Sequence, residues 1–166
     1  ATKMSTKINA PFYNAATLRS RHGTVFTSFA KSGSFQKELY EDFVAPHYQP
    51  GDFYVETWRH GPGNIDSNCT KPTKIYNIKD VSVKAENITF STLHDHSKWM
   101  VSAMNKLICV GDINRQEHQK VRGGGTVCMQ NDKIAMVYQE SVADVEECTK
   151  VIDDDEVKVD LVGNAV

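Results

Sequence analysis

Short apolar segments of strand length alternate along the chain with two stretches of helical periodicity, and this alternation limits what the chain can fold into. Apolar and β-branched residues predict strands over 23–31, 52–60, 74–83, 98–103, 106–113 and 125–130. Helical spacing predicts one helix over 34–45, ended by Pro46, and a second helix from Asn131 toward Cys148. Strands that interleave with helices indicate a layered α/β or α+β domain.

The two ends of the chain lack this periodicity. Residues 1–22 mix Asn, Ser, Thr, Pro and scattered charges, which predicts a connecting segment, and residues 151–166 form an acidic tail. The domain itself is expected over 23–150. The first ten residues do not have the pattern of a signal peptide, and the chain has no apolar run of the length that a membrane-spanning helix needs. No membrane partner is therefore expected.

The charge of the chain depends strongly on pH. Nineteen Lys and Arg against 21 Asp and Glu give a net charge of -2 at pH 7, which is not the strongly basic balance of a typical nucleic-acid binder. The chain also has six histidines, so full protonation would change the charge to -2 + 6 = +4. The chain would be cationic in an acidic compartment.

The cysteines and two glycosylation sequons favour an oxidising compartment. The four cysteines show no CxxC spacing, which argues against a zinc knuckle and leaves either two disulfides or four buried thiols. Asn68 and Asn87 each begin an N-x-T sequon and are the candidate glycosylation sites. Together these features favour a lysosomal or secretory route. We then expect the chain to be a processed part of a longer protein.

The densest group of chemically active side chains lies in segment 93–99. Alternate residues of an extended segment share a face, so His94, His96 and Lys98 are expected on one side. There, His96 could attack phosphorus or donate a proton, and Lys98 could bind phosphoryl oxygens. Two other interpretations are a zinc site built on His94, Asp95 and His96, and surface histidines without a catalytic role.

A second polar group follows the predicted strand 106–113. Asp112 and Asn114 lie at its end, and Arg122 precedes three glycines at 123–125. Successive glycine N–H groups can converge on an anion, with Arg122 as a forked donor beside them. The alternative is a flexible turn between strands. Because sequential short strands are usually neighbours, we expect these residues to lie close to the histidine–lysine pair.

These motifs, in this order, resemble the C-terminal half of the deoxyribonuclease II family between about residues 17 and 148. The matching segments are 23–31, 67–69, 95–99, 109–115 and 122–128. The resemblance implies a phospholipase-D-like α/β/α sandwich, in which two similar halves each supply one HxK motif to one site that needs no metal or cofactor. The matching segments contain one HxK, His96–Lys98. The partners that the resemblance implies are therefore DNA and an N-terminal half carrying the other motif. His94 is not part of the family motif.

The chemistry that the resemblance implies is hydrolysis of DNA phosphodiesters through a phosphohistidine, with 3′-phosphate and 5′-hydroxyl products. His96 would be one of the two catalytic histidines, either nucleophile or general acid, and Lys98 would bind non-bridging oxygens. Asn114 and Arg122 are the next phosphate-binding candidates, and Asp112 is a candidate orienting residue.

The resemblance also implies the disulfides Cys69–Cys148 and Cys109–Cys128, and a lysosomal or secreted enzyme, with a secreted toxin as a variant. The alternative is an inactive secreted homologue or a DNA-binding protein.

Overall fold

Nine strands form one sheet in the computed structural model, which describes residues 11–104 and 106–148. The strands are β1 (Tyr13–Arg19), β2 (Val25–Lys31), β3 (Phe53–Glu56), β4 (Ile75–Val83), β5 (Ile88–Ser91), β6 (Trp99–Ser102), β7 (Leu107–Gly111), β8 (Gly124–Gln130) and β9 (Val142–Val145). Their order is β1-β2-β8-β7-β6-β3-β4-β5, and β9 pairs with β4. All pairs are antiparallel except β3–β4.

Both faces of the sheet are covered by apolar residues that alternate along the strands. Val101 and Ile108 point to one face, where Ala135 of helix α2 (Asp132–Glu140) packs. Met100 and Leu107 belong to the cluster on the opposite face. A short helical stretch covers that second face and consists of a π-helix (Tyr40–Val44) and α1 (Ala45–His47). The α/β class predicted from the sequence is therefore confirmed.

The first predicted helix is shorter and less regular than expected. A 3-10 turn (Gly33–Phe35) stands where the helix was predicted to begin, and Gln36 then has a left-handed backbone with φ 57°. That conformation ends the turn, so helical structure starts again only near Leu39. Pro46 lies inside α1, so the helical stretch continues past it to His47 rather than ending before it as predicted.

Three strands lie outside the predicted ones. β1 falls in the segment interpreted as a connection, and six of its seven residues are exposed, so it lacks the apolar alternation that predicts a strand. β5 was not predicted either, because two of its four residues are exposed and its apolar alternation is weak. Val142 was predicted to continue the second helix but begins β9, because α2 ends at Glu140 and the chain turns back to pair with β4. Strand 52–60 is shorter than predicted and ends at Glu56.

Other strand and helix predictions agree with the structure. β4, β6, β7 and β8 lie within or within one residue of their predicted ranges. Asn131 caps α2, and its side chain accepts a hydrogen bond from the Ile134 N–H. The acidic tail and residues 1–10 lie outside the described residues. Among the helices described, none is long and apolar enough to cross a membrane.

Two disulfides tie the sheet together. Cys109 and Cys128 lie directly opposite each other on β7 and β8, with Cα atoms 3.9 Å apart. Cys69 and Cys148 join the loop before β4 to the chain after β9. These are the two pairs that the family resemblance implies, and they replace the alternative of free thiols.

A buried ion cluster surrounds Arg115. Arg115 is 1% exposed, and its guanidinium pairs with Glu38 at 3.2 Å and Glu41 at 3.6 Å. Its Nε donates to Asn77 Oδ1 at 2.8 Å. Burial raises the pKa of Glu38, although the Arg115 charge opposes this shift. Arg115 therefore anchors the loop that follows β7.

Candidate active site

Four strands place the candidate residues at one end of the sheet. Lys98 immediately precedes β6, and Asp112 immediately follows β7. Arg122 lies just before β8, and Glu56 ends β3. Because β3, β6, β7 and β8 are antiparallel neighbours, these four positions share one end of the sheet.

Two backbone hydrogen bonds join the predicted motifs. The Gly111 N–H donates to the Lys98 carbonyl at 2.9 Å, and the Asp112 N–H donates to the Gly125 carbonyl at 3.1 Å. The HxK segment, the end of β7 and the glycine run are therefore neighbours, as the sequence predicted.

The HxK segment is a turn rather than an extended strand. The Ser97 N–H donates to Asp95 Oδ1 at 3.0 Å, the hydrogen bond of an Asx turn, and regular strand structure begins only at Trp99. The Asp95 and Ser97 side chains contact each other, as alternate residues of one face would. Lys98 is half-buried, and its Nζ donates to the His96 carbonyl at 2.5 Å, whereas the His96 ring is exposed. The turn thus presents His96 to solvent.

Trp58, two residues beyond β3, contacts the candidate catalytic histidine. Its ring centroid lies 4.1 Å from that of His96, and it also stacks with His60 at 5.5 Å. The Trp58 Nε1–H donates to the Leu93 carbonyl at 3.0 Å, which ties the indole to the start of the HxK segment. Sequence reasoning treated Trp58 only as part of a predicted strand, because the stacking joins positions far apart in the chain.

Glu56 is a second residue that sequence reasoning missed. Its side chain is fully buried, and Ser97 Oγ lies 2.9 Å from Oε2. Burial raises the pKa of Glu56 to about 8, the nearby Asp95 charge acts in the same direction, and the Ser97 hydrogen bond and the Lys98 charge oppose it. The signal in the sequence is a carboxyl group within an otherwise apolar strand pattern.

Charges of both signs surround Lys98. Burial lowers its pKa, the carboxyl groups of Glu56, Asp95 and Asp112 raise it, and the Arg122 charge lowers it. Lys98 and Arg122 are therefore close enough for their charges to interact. Such paired positive charges favour binding of an anion that neutralises both.

Buried contacts hold the loop that carries Arg122. Lys31 is 5% exposed and donates from Nζ to the carbonyls of Gln119, Lys120 and Arg122 at 2.7–3.0 Å. The Arg122 guanidinium donates to Gln119 Oε1 at 3.1 Å. Arg122 is thus exposed, and one hydrogen bond within the loop orients its guanidinium.

The glycine run does not form the open anion cradle considered from the sequence. The Gly125 N–H already donates to Asp112 Oδ1 at 2.8 Å, and both Gly124 and Gly125 belong to β8. A Cβ on Gly125 would lie 2.0 Å from the Phe29 carbonyl oxygen. The glycine at position 125 therefore permits the close approach of β2 and β8. The hydrogen bond from its N–H to Asp112 also ties the end of β7 to β8.

Asn114 is buried beside this strand end. It is 7% exposed, and its Nδ2 donates to Gln116 Oε1 at 3.3 Å. Its Oδ1 is buried and has no hydrogen-bond partner among the described residues. A buried polar atom without a partner is unusual, and it marks Asn114 as a residue prepared for another hydrogen bond.

The structure does not support the zinc interpretation of the histidine pair. Within residues 11–104 and 106–148, no three His, Cys, Asp or Glu side chains are arranged to hold a metal ion. His94, Asp95 and His96 therefore do not form a ligand set, because the Asp95 carboxylate is turned toward Ser97.

The two predicted glycosylation sites differ in environment. Asn87 is exposed and follows a short 3-10 helix (Lys84–Glu86). Asn68 is partly buried, and the Nδ2 that a glycan would occupy donates to Glu41 Oε1 at 2.7 Å. The folded structure therefore favours Asn87 as the glycan acceptor.

The fold and the site define an α/β protein with an exposed histidine and a half-buried lysine at one end of a single mixed sheet. The chain belongs to the deoxyribonuclease II family, since the family model described as Deoxyribonuclease II matches residues 1–148.

Three known proteins are similar to this chain over most of its length. Plancitoxin-1 of Acanthaster planci is 38% identical over 141 residues, which are 84% of this chain and 39% of the relative. Human deoxyribonuclease-2-beta is 36% identical over 135 residues, covering 80% of this chain and 37% of the relative. Mouse deoxyribonuclease-2-alpha is 34% identical over 142 residues, which are 85% of this chain and 40% of the relative. The chain therefore spans about two fifths of the length of these relatives.

Proposed function

We propose that this chain supplies one HxK half-site of a metal-independent acid endonuclease that hydrolyses DNA to 3′-phosphate and 5′-hydroxyl ends. Membership of the deoxyribonuclease II family supports the choice of DNA. The observation that carries the proposal is the placement of His96 and Lys98 at the sheet end beside Asp112 and Arg122. An exposed imidazole next to positive charges is suited to a phosphodiester.

In the proposed mechanism, one histidine attacks phosphorus and a second histidine protonates the leaving 5′-oxygen. The bond from phosphorus to that oxygen breaks, and water later hydrolyses the phosphohistidine to leave a 3′-phosphate. His96 takes one of these two roles. Lys98 and Arg122 bind the non-bridging oxygens, an Nδ2–H of Asn114 donates to the phosphate, and Asp112 orients the strand end that carries them.

The second histidine is proposed to come from a companion half. The chain covers about two fifths of its relatives, and of its two HxK tripeptides, 96–98 and 118–120, only 96–98 lies in a segment that resembles the family. We propose that the two halves form a phospholipase-D-like α/β/α sandwich of two similar units. The helical layers on both faces of the sheet, α2 on one and the 40–47 stretch on the other, support this arrangement.

An acidic lysosomal or secreted setting is proposed for the enzyme. The two disulfides support an oxidising compartment, and protonation of six histidines would make the chain cationic toward DNA. A secreted toxin is a variant of this proposal, favoured by the similarity to a protein named Plancitoxin-1.

The test is cleavage of plasmid DNA at about pH 5 in EDTA by the protein together with its companion half. We expect cleavage in EDTA and 3′-phosphate ends, identified because only phosphatase treatment allows primer extension from them. Loss of activity in EDTA that Mg²⁺ or Zn²⁺ restores would contradict the metal-independent mechanism. Retained DNA binding without any cleavage would favour the alternative of an inactive, DNA-binding homologue.

A further inference from the structure

Ser97 Oγ lies between two carboxyl groups that compete for its single hydrogen. It is 2.9 Å from Glu56 Oε2 and 2.5 Å from Asp95 Oδ2. A serine hydroxyl has one proton to donate, so it cannot satisfy two ionised carboxylates at once. One of the two carboxyl groups must supply a second proton for both contacts to be hydrogen bonds.

Burial and hydrogen bonding decide which group is protonated. Asp95 also accepts the Ser97 backbone N–H, as an ionised carboxylate does. Glu56 is fully buried, its Oε1 has no hydrogen-bond partner among the described residues, and none of the ion pairs described involves it. An unpaired buried charge is costly, so the proton belongs on Glu56.

We propose that neutral Glu56 is a positioning residue of the HxK turn. It donates a hydrogen bond to Ser97 Oγ, which donates to Asp95, and this series of two hydrogen bonds fixes the backbone between His96 and Lys98. Its catalytic consequence rests on the proposed function, whereas the hydrogen-bond chain itself does not. Loss of the Glu56 proton leaves two carboxylates against one hydroxyl and loosens the turn.

The charged and titratable groups that face Glu56 are consistent with a protonated carboxyl group. Asp95 and the Lys98 ammonium approach from the HxK segment, and Tyr40 approaches from the π-helix. The Tyr40 hydroxyl donates to the Ile113 carbonyl instead, and Lys98 Nζ donates to the His96 carbonyl. Neither group therefore forms a hydrogen bond or ion pair with Glu56. The raised pKa of Glu56, about 8, agrees with this geometry.

The direct test is carboxyl NMR of the whole chain labelled with ¹³C at glutamate Cδ, with the Glu56 signal assigned by its absence in Glu56→Gln. We expect the Glu56 signal to titrate near pH 8, the value toward which burial moves it. Titration near the ordinary value of about 4.3 would overturn the proposal. Neither result depends on nuclease activity, so failure here differs from failure of the proposed function.

Stability as a function of pH gives an independent test. The raised pKa means that the folded state holds the Glu56 proton after the unfolded state has lost it, so wild-type stability decreases from about pH 5 to about pH 8. Relative to Glu56→Gln, the wild-type folding constant should fall by up to about tenfold per pH unit in this window. The exposed control Glu117→Gln should follow the wild type. Parallel curves for wild type and Glu56→Gln would contradict the proposal.

Activity of the complete enzyme tests the positioning role. Glu56→Gln keeps a neutral donor to Ser97 and should retain kcat at acid pH. Ser97 is exposed, and Ser97→Ala removes both hydrogen bonds of its hydroxyl, so it should lower kcat with KM little changed. The ratio of Glu56→Gln to wild-type kcat should rise from about pH 6 to about pH 9. Equal kcat values for wild type, Glu56→Gln and Ser97→Ala at every pH would show a purely structural role.

Discussion

Trp58 stacks against His96, with ring centroids 4.1 Å apart and planes inclined by 30°. The indole is half-buried and anchored by its N–H to the Leu93 carbonyl, so it is the more rigid member of the pair. It supports an otherwise exposed imidazole and restricts the orientations that His96 can adopt. This contact joins the end of β3 to the turn before β6.

Removal of this support should reduce catalysis rather than DNA binding. Aromatic pairs contribute about 0.5–1.5 kcal/mol beyond area burial, so Trp58→Ala should lower kcat by roughly twofold to tenfold in the complete enzyme. Trp58→Phe should retain most of the rate. Steady-state kinetics separate kcat from KM, and equal effects of the Phe and Ala variants would show that stacking does not position His96.

Cleavage should require His96 but not its neighbour His94. Both side chains are exposed, so His94→Ala should leave the thermal midpoint nearly unchanged, and His96→Ala should lower it only slightly through loss of the Trp58 contact. We expect His96→Ala to reduce cleavage to background and His94→Ala to remain active. Plasmid cleavage in EDTA and circular dichroism provide the two measurements. An inactive, folded His94→Ala variant would bring back the interpretation that both histidines act together.

A side chain at Gly125 should destabilise the sheet. The Cβ of Gly125→Ala would lie 2.0 Å from the Phe29 carbonyl oxygen, and overpacking of this kind costs about 1–3 kcal/mol or more. Gly123→Ala is the matched control, because its nearest neighbour would be 3.6 Å away. Urea unfolding compares the two, and similar free energies of unfolding would mean that β2 and β8 can separate without cost.

The disulfide between β7 and β8 should stabilise the folded chain substantially. Closure of a loop with a sequence separation of 19 residues corresponds to about 3 kcal/mol in the chain-entropy model. The paired variant Cys109→Ala/Cys128→Ala should lose at least this free energy of unfolding in urea, since the cysteines are also fully buried. The same measurement on Cys69→Ala/Cys148→Ala reports the other bridge. An unchanged urea midpoint in the first variant would rule out the expected stabilisation.

Arg115 should be needed for folding rather than for phosphate binding. Arg115→Met leaves the buried Glu38 carboxyl without its cation and should cost about 3–5 kcal/mol. Adding Glu38→Gln removes the unpaired charge, so the double variant should be more stable than Arg115→Met alone. Chemical denaturation of all three variants tests this coupling, and additive losses would show that the pair is not coupled.

Much of the fold was predictable where local signals were strong. β6, β7 and β8 carry apolar runs bounded by turns, and α2 begins with a capping asparagine at position 131. β1 was not predictable, because an exposed edge strand needs no apolar face and is held by its pairing with β2. β9 also depends on a distant partner, β4.

The sequence by itself determined the HxK motif, the cysteines available for two disulfides, and the strands that bring Lys98, Asp112 and Arg122 together, because these features are local. Only the tertiary structure decided that the Gly125 N–H binds Asp112, and that Glu56 and Trp58 support the HxK turn. Those contacts cross between β3 and the segment before β6, some 40 residues later in the chain. The burial of Glu56 and the stacking of Trp58 depend on the pairing of β3 with β6, two strands that are not consecutive in the chain, and local sequence patterns do not contain that information.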